Sequence, residues 1–169
     1  MVNKVYSLEN DTIKLTNIKK PFQNIRGLKS KVDELSNSLF PDYPNIMCLT
    51  EHHLKDYEIG NLPIEQFKLG SKFCRHEFKN GGLCIFVHED LDFFSISLDK
   101  YCKERDVEVC AVNNSPYSIL AIYRSRSGNF TNCLKNLDGI LKTYSNKIEF
   151  VICGDININY LENCKKSNN

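Results

Sequence analysis

The stretch Phe150-Val151-Ile152-Cys153-Gly154-Asp155-Ile156-Asn157 constrains the fold more than any other. Four apolar residues, mainly β-branched or aromatic, are too few for a helix and stop at a glycine, so they predict a strand buried on both faces. Gly-Asp-x-Asn then delivers a carboxylate and a carboxamide to the rim of a sheet, where a polar ligand reaches groups carried by a rigid element. The plainer alternative is a side-chain-capped turn, which Asx residues commonly make after strands. The pattern recurs upstream, where Asn45-Ile46-Met47-Cys48-Leu49-Thr50 reads as a second buried strand and closes on Glu51.

Between these ends the apolar pattern alternates between strand and helix periods. Phe22-Gln23-Asn24-Ile25 after Pro21 is at most a short strand entering an Arg26-Gly27 turn. Leu28, Val32, Leu35 and Leu39 share a helical face, with Ser30 as the expected cap, Asp33 as the capping-box acid, and Pro41 and Pro44 as the stop. Strand, helix, strand in this order suggests a crossover connection. Phe67–Gly70 and Gly82–Val87 flank an Asn80-Gly81 turn signal and are expected to pair as a hairpin. Phe93–Leu98 is a weaker strand, and Val107–Val112 with Tyr117–Tyr123 forms a second hairpin candidate. A helix opening at Thr131 carries Leu134, Leu137, Ile140, Leu141 and Tyr144 on one face.

A chain of 169 residues fits one domain with a substantial core. Residues 1–20 form a weakly patterned N-terminal segment with a strand hint at Ile13, Leu15 and Ile18, residues 21–160 the partial domain, and residues 161–169 a polar tail. With 22 basic against 21 acidic residues and a net charge of +1, no global field announces a nucleic-acid partner, so any such contact is local. Eight cysteines without a single Cys-x-x-Cys, four of them inside apolar runs, behave as small buried hydrophobes and suit a reducing intracellular compartment. No apolar run approaches the length of a membrane span.

Four polar positions stand at strand ends or just past them: Asn24, Glu51, Tyr123 beside Arg124, and the Asp155/Asn157 pair. Gathered at one sheet edge they make an oxygen-rich site for a hard cation such as Mg²⁺, with Mn²⁺ as an alternative, which holds substrate phosphate through one or two carboxylates. Phosphate-ester hydrolysis fits that inventory, with a carboxylate and an amide positioning the attacking water. Strand-end polar residues also occur in ordinary loops, and the sequence leaves open whether these ends share an edge.

Asn24-Ile25-Arg26-Gly27-Leu28, Cys48-Leu49-Thr50-Glu51, Gly81–Val87, Tyr123-Arg124-x-x-Ser127-Gly128-Asn129 and Gly154-Asp155-Ile156-Asn157 resemble, in order, the blocks of the endonuclease/exonuclease/phosphatase family. More narrowly they resemble the apurinic-endonuclease-like domain of Jockey-like non-LTR retrotransposons. The resemblance runs from about Gln23 to Asn159. It implies an α/β fold, a DNase I-like four-layer α/β sandwich, and a Mg²⁺-dependent nick of target DNA that leaves a 3′-hydroxyl for a linked reverse transcriptase, in the nucleus. By it, Glu51 is the metal ligand, Asn24 lies near the metal and the phosphate, Tyr123 contacts the scissile phosphate, Asp155 activates or orients the water, and Asn157 holds Asp155 and the phosphate in register. Arg124, Arg126 and Asn129 are the expected substrate contacts.

Two departures qualify the likeness. Arg26 stands where repair-type relatives carry an acid, which resembles the retroelement branch. The family also ends in a Ser-Asp-His block that these residues do not contain, so the domain is expected to be truncated and its cutting impaired. Of the histidines, the His52-His53 pair is expected in an exposed strand-exit loop, and His76 and His88 at the surface. A non-catalytic DNA- or protein-binding remnant, and a phosphomonoesterase of the same family, are the competing readings.

Overall fold

Side-chain alternation sorts the strands into two sheets with a shared interior. In the computed structural model the described residues are 22–41, 43–115, 117–144 and 148–158. The expected N-terminal segment, with its strand hint, and the polar tail lie outside them. The elements are β1 (Phe22–Asn24), α1 (Val32–Leu39), β2 (Ile46–Thr50), α2 (Asp56–Ile59), β3 (Phe67–Phe73), β4 (Leu83–His88), β5 (Phe94–Ile96), β6 (Glu108–Asn114), β7 (Tyr117–Tyr123), α3 (Phe130–Tyr144) and β8 (Phe150–Asp155). One sheet has the order β1-β2-β4-β3 and the other β5-β6-β7-β8. Both hairpins form as expected, β3 with β4 and β6 with β7 antiparallel. The two crossovers, β1 to β2 through α1 and β7 to β8 through α3, join parallel neighbours.

Period two in the central strands gives each face its own partner. On β2, Met47 and Leu49 point outward to a core with Leu28 and Leu35, while Cys48 points inward. On β7, Leu120 and Ile122 pack outward against a core that includes Cys133 and Ile140 of α3, while Ala121 and Tyr123 point inward. The inward residues of both sheets meet in a middle core of Cys48, Leu83, Ile85, Val87, Cys110, Val112, Ala121 and Tyr123. Helix, sheet, sheet and helix are therefore stacked as a four-layer α/β sandwich, and strands buried on both faces read as unbroken apolar runs. Cys48 and Cys153 touch across the sheets, Sγ to Sγ 3.1 Å, and all seven described cysteines are free thiols. Among the described residues no helix is long and apolar enough to cross a membrane.

Three expectations need correction. Ser30 does not cap α1: a 3-10 turn at Lys29–Lys31 precedes the helix, and Lys31 stands at the cap without a side-chain bond. α3 begins at Phe130 because the Asn129 carboxamide accepts the Asn132 N–H at 3.0 Å and caps one residue earlier than Thr131. β8 is only half-buried, since it pairs with β7 alone and stands at the edge of its sheet among the described residues. Its β-branched run reports a strand whose two faces are both covered, but only in part.

Candidate active site

Glu51 leaves β2 with a positive φ of 58°, and the segment after it is zipped between two loops. The carbonyls of Thr50, Glu51 and His52 accept the N–H groups of Ile25, Gly27 and Leu28, while Glu51 N and His53 N donate to Gly82 O and Gly81 O. Arg26, Gly27, Glu51, His53, Gly81 and Gly82 all have φ in the left-handed region. Such conformations persist only where the surroundings over-determine them, and they concentrate at functional sites. At Gly82 this φ is coupled to close approach, for a Cβ there would overlap the His52 ring.

The Glu51 carboxylate gathers groups from both sheets. Asn24 Nδ2, at the end of β1, donates to Oε1 at 2.8 Å. From the facing sheet, the inward Tyr123 hydroxyl donates to the same oxygen at 3.0 Å. Burial and the neighbouring Glu51 carboxylate push the Tyr123 phenol well above its ordinary pKa, so it stays a donor. Oε2 faces His53 Nε2 at 3.7 Å.

Tyr123 is in register with Asp155 on parallel β7 and β8. The sulfur contact between Cys48 and Cys153 likewise links β2 and β8 just before their acids. Glu51 and Asp155 thus lie on one lip of the sandwich, which answers the question the sequence left open. Gly154, with φ 151°, admits no Cβ, because one would overlap the Ile122 carbonyl. Beyond it Asn157 N donates to Asp155 Oδ1 at 2.9 Å, so the side-chain-capped turn forms as well.

The remaining expected residues divide. Arg124 is buried on the α3 side, over the Phe130 ring: Nε donates to Ile156 O at 2.7 Å, Nη1 to Gly128 O at 2.5 Å and Nη2 to Asn157 O at 2.6 Å. Asn157 Nδ2 returns a bond to Arg124 O at 2.7 Å. Arg124 therefore fastens the Asp155 turn and presents no guanidinium to a ligand. Asn129 caps α3, and its N–H reaches Asp106 Oδ1 at 2.7 Å. Burial raises the Asp106 carboxyl, but Asn129, Asn132 and Lys103 outweigh it and hold it at about 2. Arg126 is exposed.

Three residues of this region escaped the sequence reading. Glu108, fully buried, accepts Arg75 Nε at 2.6 Å, Gly82 N at 2.8 Å and Arg105 N at 2.9 Å. Arg75 Nη2 sits 2.5 Å from Glu108 Oε1, an ion-pair contact too bent for a hydrogen bond. Arg75 also lies over the Tyr123 ring, 5.9 Å from its centroid, so the pair braces the Gly81-Gly82 loop and Tyr123 together. Burial raises the Glu108 pKa even against Arg75. His52, expected to be exposed, is fully buried: Nδ1 accepts Leu54 N at 2.9 Å, which makes Nε2 the donor to Phe73 O at 3.1 Å. Burial lowers its pKa to about 4. The available signal was charge inside apolar runs, Glu108 between Val107 and Val109 above all.

Among the described residues, four buried side-chain polar atoms lack a hydrogen-bond partner: Asn24 Oδ1, Thr50 Oγ1, His53 Nε2 and Arg75 Nη2. Asn24 bonds to Glu51, Thr50 precedes it, His53 two residues on approaches its other oxygen, and Arg75 packs on the tyrosine that reaches it. Orphaned groups are rare in folded proteins and call for an explanation, an ion or water among them. A carboxylate with Asn24 and an unpartnered His53 Nε2 beside it fits a hard divalent cation, which keeps waters and takes few protein ligands. Among the described residues no group of three or more His, Cys, Asp or Glu is placed to hold a metal ion.

No protein-family model and no curated protein matches the chain. Solved structures do. A 3′ phosphatase, NExo, from Neisseria, bound to a product DNA hairpin, is 18% identical with a TM-score of 0.59, over 81% of this chain and 56% of that one. An AP endonuclease from Archaeoglobus fulgidus is 16% identical with a TM-score of 0.53, over 81% of this chain and 56% of that one. D. rerio TDP2 complexed with a single-strand DNA product is 16% identical with a TM-score of 0.54, over 85% of this chain and 62% of that one. The chain thus spans a little over half the length of the first two. At these identities the likeness is one of fold, and the fold is the DNase I-like α/β sandwich.

Proposed function

We propose that this chain is part of a metal-dependent phosphodiesterase acting on DNA, the target-nicking endonuclease domain of a non-LTR retrotransposon working in the nucleus beside a linked reverse transcriptase. The observation that carries the hydrolytic part is the convergence of Asn24 and Tyr123, from opposite sheets, on Glu51, with His53 Nε2 unpartnered beside it. The retrotransposon part rests on the sequence blocks alone.

Glu51 would hold the ion, while Asn24 and Tyr123 fix its carboxylate through Oε1. A bound Mg²⁺ supplies Lewis-acid polarisation of a phosphoryl oxygen and stabilises the departing oxyanion. Tyr123 passes its hydrogen bond from Glu51 to a phosphate oxygen. Asp155 has one oxygen bound by Asn157 N, and the other accepts a proton from the attacking water. Asn157 and Arg124 keep that carboxylate in place. Lys29 on one side of His53, and Lys55 and Lys79 on the other, line shallow depressions where a phosphate backbone would run.

The 169 residues hold no Ser-Asp-His block, so by themselves they are proposed to cut slowly. Nicking of supercoiled plasmid against Mg²⁺ tests the proposal: a slow reaction, lost with chelator and in both Glu51→Gln and Asp155→Asn, supports it. Release of inorganic phosphate without nicking favours a phosphomonoesterase. Salt-dependent DNA binding without cleavage, unchanged in both variants, favours the binding remnant.

A further inference from the structure

His53 holds a position that the proposed chemistry does not use. Its Nε2 is sealed from bulk water, lacks a hydrogen-bond partner, and points at Glu51 Oε2 from 3.7 Å, beyond hydrogen-bonding range. The backbone that aims it there is in the left-handed region, φ 62°, and is pinned by the bond from His53 N to Gly81 O. Residues two apart share a side of a chain, and Glu51 and His53, both at positive φ, bring their side chains within 3.7 Å, while His52 between them is buried elsewhere.

We infer that His53 is a second protein ligand, its Nε2 joining Glu51 Oε2 on the same divalent ion, so that the site favours a nitrogen-accepting ion such as Mn²⁺ or Co²⁺ over Mg²⁺. This rests on the reading of Glu51 as a metal ligand. Two donors about 2.1 Å from one ion stand roughly 3.0–3.5 Å apart for angles between octahedral and tetrahedral, so the 3.7 Å gap closes with a shift of a few tenths of an ångström. Imidazole nitrogen adds affinity along the first-row series and little for Mg²⁺, which keeps oxygen ligands and water. Asn24 Oδ1, also buried and unpartnered beside Glu51, is a further oxygen donor for the same ion.

The test is calorimetric titration of Mg²⁺ and Co²⁺ into the wild-type chain, His53→Gly, His53→Asn and Glu51→Gln, with the visible absorption of Co²⁺ as a second readout. Glycine and asparagine both adopt the left-handed backbone at this position, so the fold is kept. The expected result is that each His53 variant weakens Co²⁺ about tenfold or more, leaves Mg²⁺ within about twofold, and shifts the Co²⁺ spectrum toward all-oxygen ligation. An unchanged Co²⁺ to Mg²⁺ affinity ratio in both His53 variants, with binding of both ions lost in Glu51→Gln, overturns this inference alone. Binding of both ions intact in Glu51→Gln overturns the Glu51 reading with it.

Discussion

The end of β2 and the end of β8 follow one sequence pattern, an apolar run closing on an acid, yet they are finished differently. At β8 every named group closes on another: Asn157 N caps Asp155, Asn157 Nδ2 holds Arg124 O, and Arg124 fills three carbonyls of the same turn and its neighbour. At β2 the acid gathers Asn24 and Tyr123, but Asn24 Oδ1 and His53 Nε2 beside it, and Thr50 Oγ1 just before it in the chain, have no partner. A self-satisfied end is a scaffold that aims one carboxylate. An end with orphans keeps polar capacity that a ligand could use. The capped turn at Asp155 and its place beside Tyr123 are not exclusive, since the turn holds the carboxylate at the same strand end.

The largest effect is expected at the brace behind the open end. Glu108→Ala leaves Arg75 charged, buried and unpaired, and should cost about 3–5 kcal/mol in urea denaturation. A loss below about 1 kcal/mol would mean that the Gly81-Gly82 loop is held without it. Next comes His52, whose pKa falls from 6.5 to about 4 on folding. The unfolded chain then binds more protons between those values, so stability is full above pH 6.5 and declines as pH falls through the window to about 4, by on the order of 3 kcal/mol. His52→Gln, which keeps a donor and an acceptor, should flatten that decline.

At the closed end, Arg124→Met removes three charge-assisted bonds and should cost about 2–3 kcal/mol. Its amide-exchange signature should be confined to the 124–128 loop and the Asp155 turn, and exchange that spreads to Glu51 would show that the two ends are not independent. The smallest change is Tyr123→Phe, about 1 kcal/mol in stability for one hydrogen bond, with a larger fall in nicking than in stability if the hydroxyl reaches substrate.

The fold was legible because its information is local. β-Branched runs, period-3.6 faces and the Asn80-Gly81 turn, both residues at positive φ, declare elements from a few neighbours. Asn24, Glu51, Tyr123 and Asp155 were legible for a related reason, since strand ends deliver side chains to a rim. What escaped was set by partners distant in sequence. β8 reads like β2, yet its burial depends on how many strands flank it. Arg75 and Glu108 lie 33 residues apart and find each other only across the sheets. α2, four residues long, has too short a period to detect. Arg124 looked like a phosphate contact because charge beside a candidate site suggests a ligand, whereas three main-chain carbonyls claim it.

The central claim is that both strand ends face one divalent ion. Adding substoichiometric Mn²⁺ to the ¹⁵N-labelled chain and recording which amides broaden tests it directly. The account predicts loss of signal centred on Asn24, Glu51 and His53 and extending across the lip to Tyr123 and Asp155, reversed by excess Mg²⁺. Broadening centred on another acidic patch, such as Glu104 or Asp138, with the Glu51 and Asp155 signals intact, would contradict it.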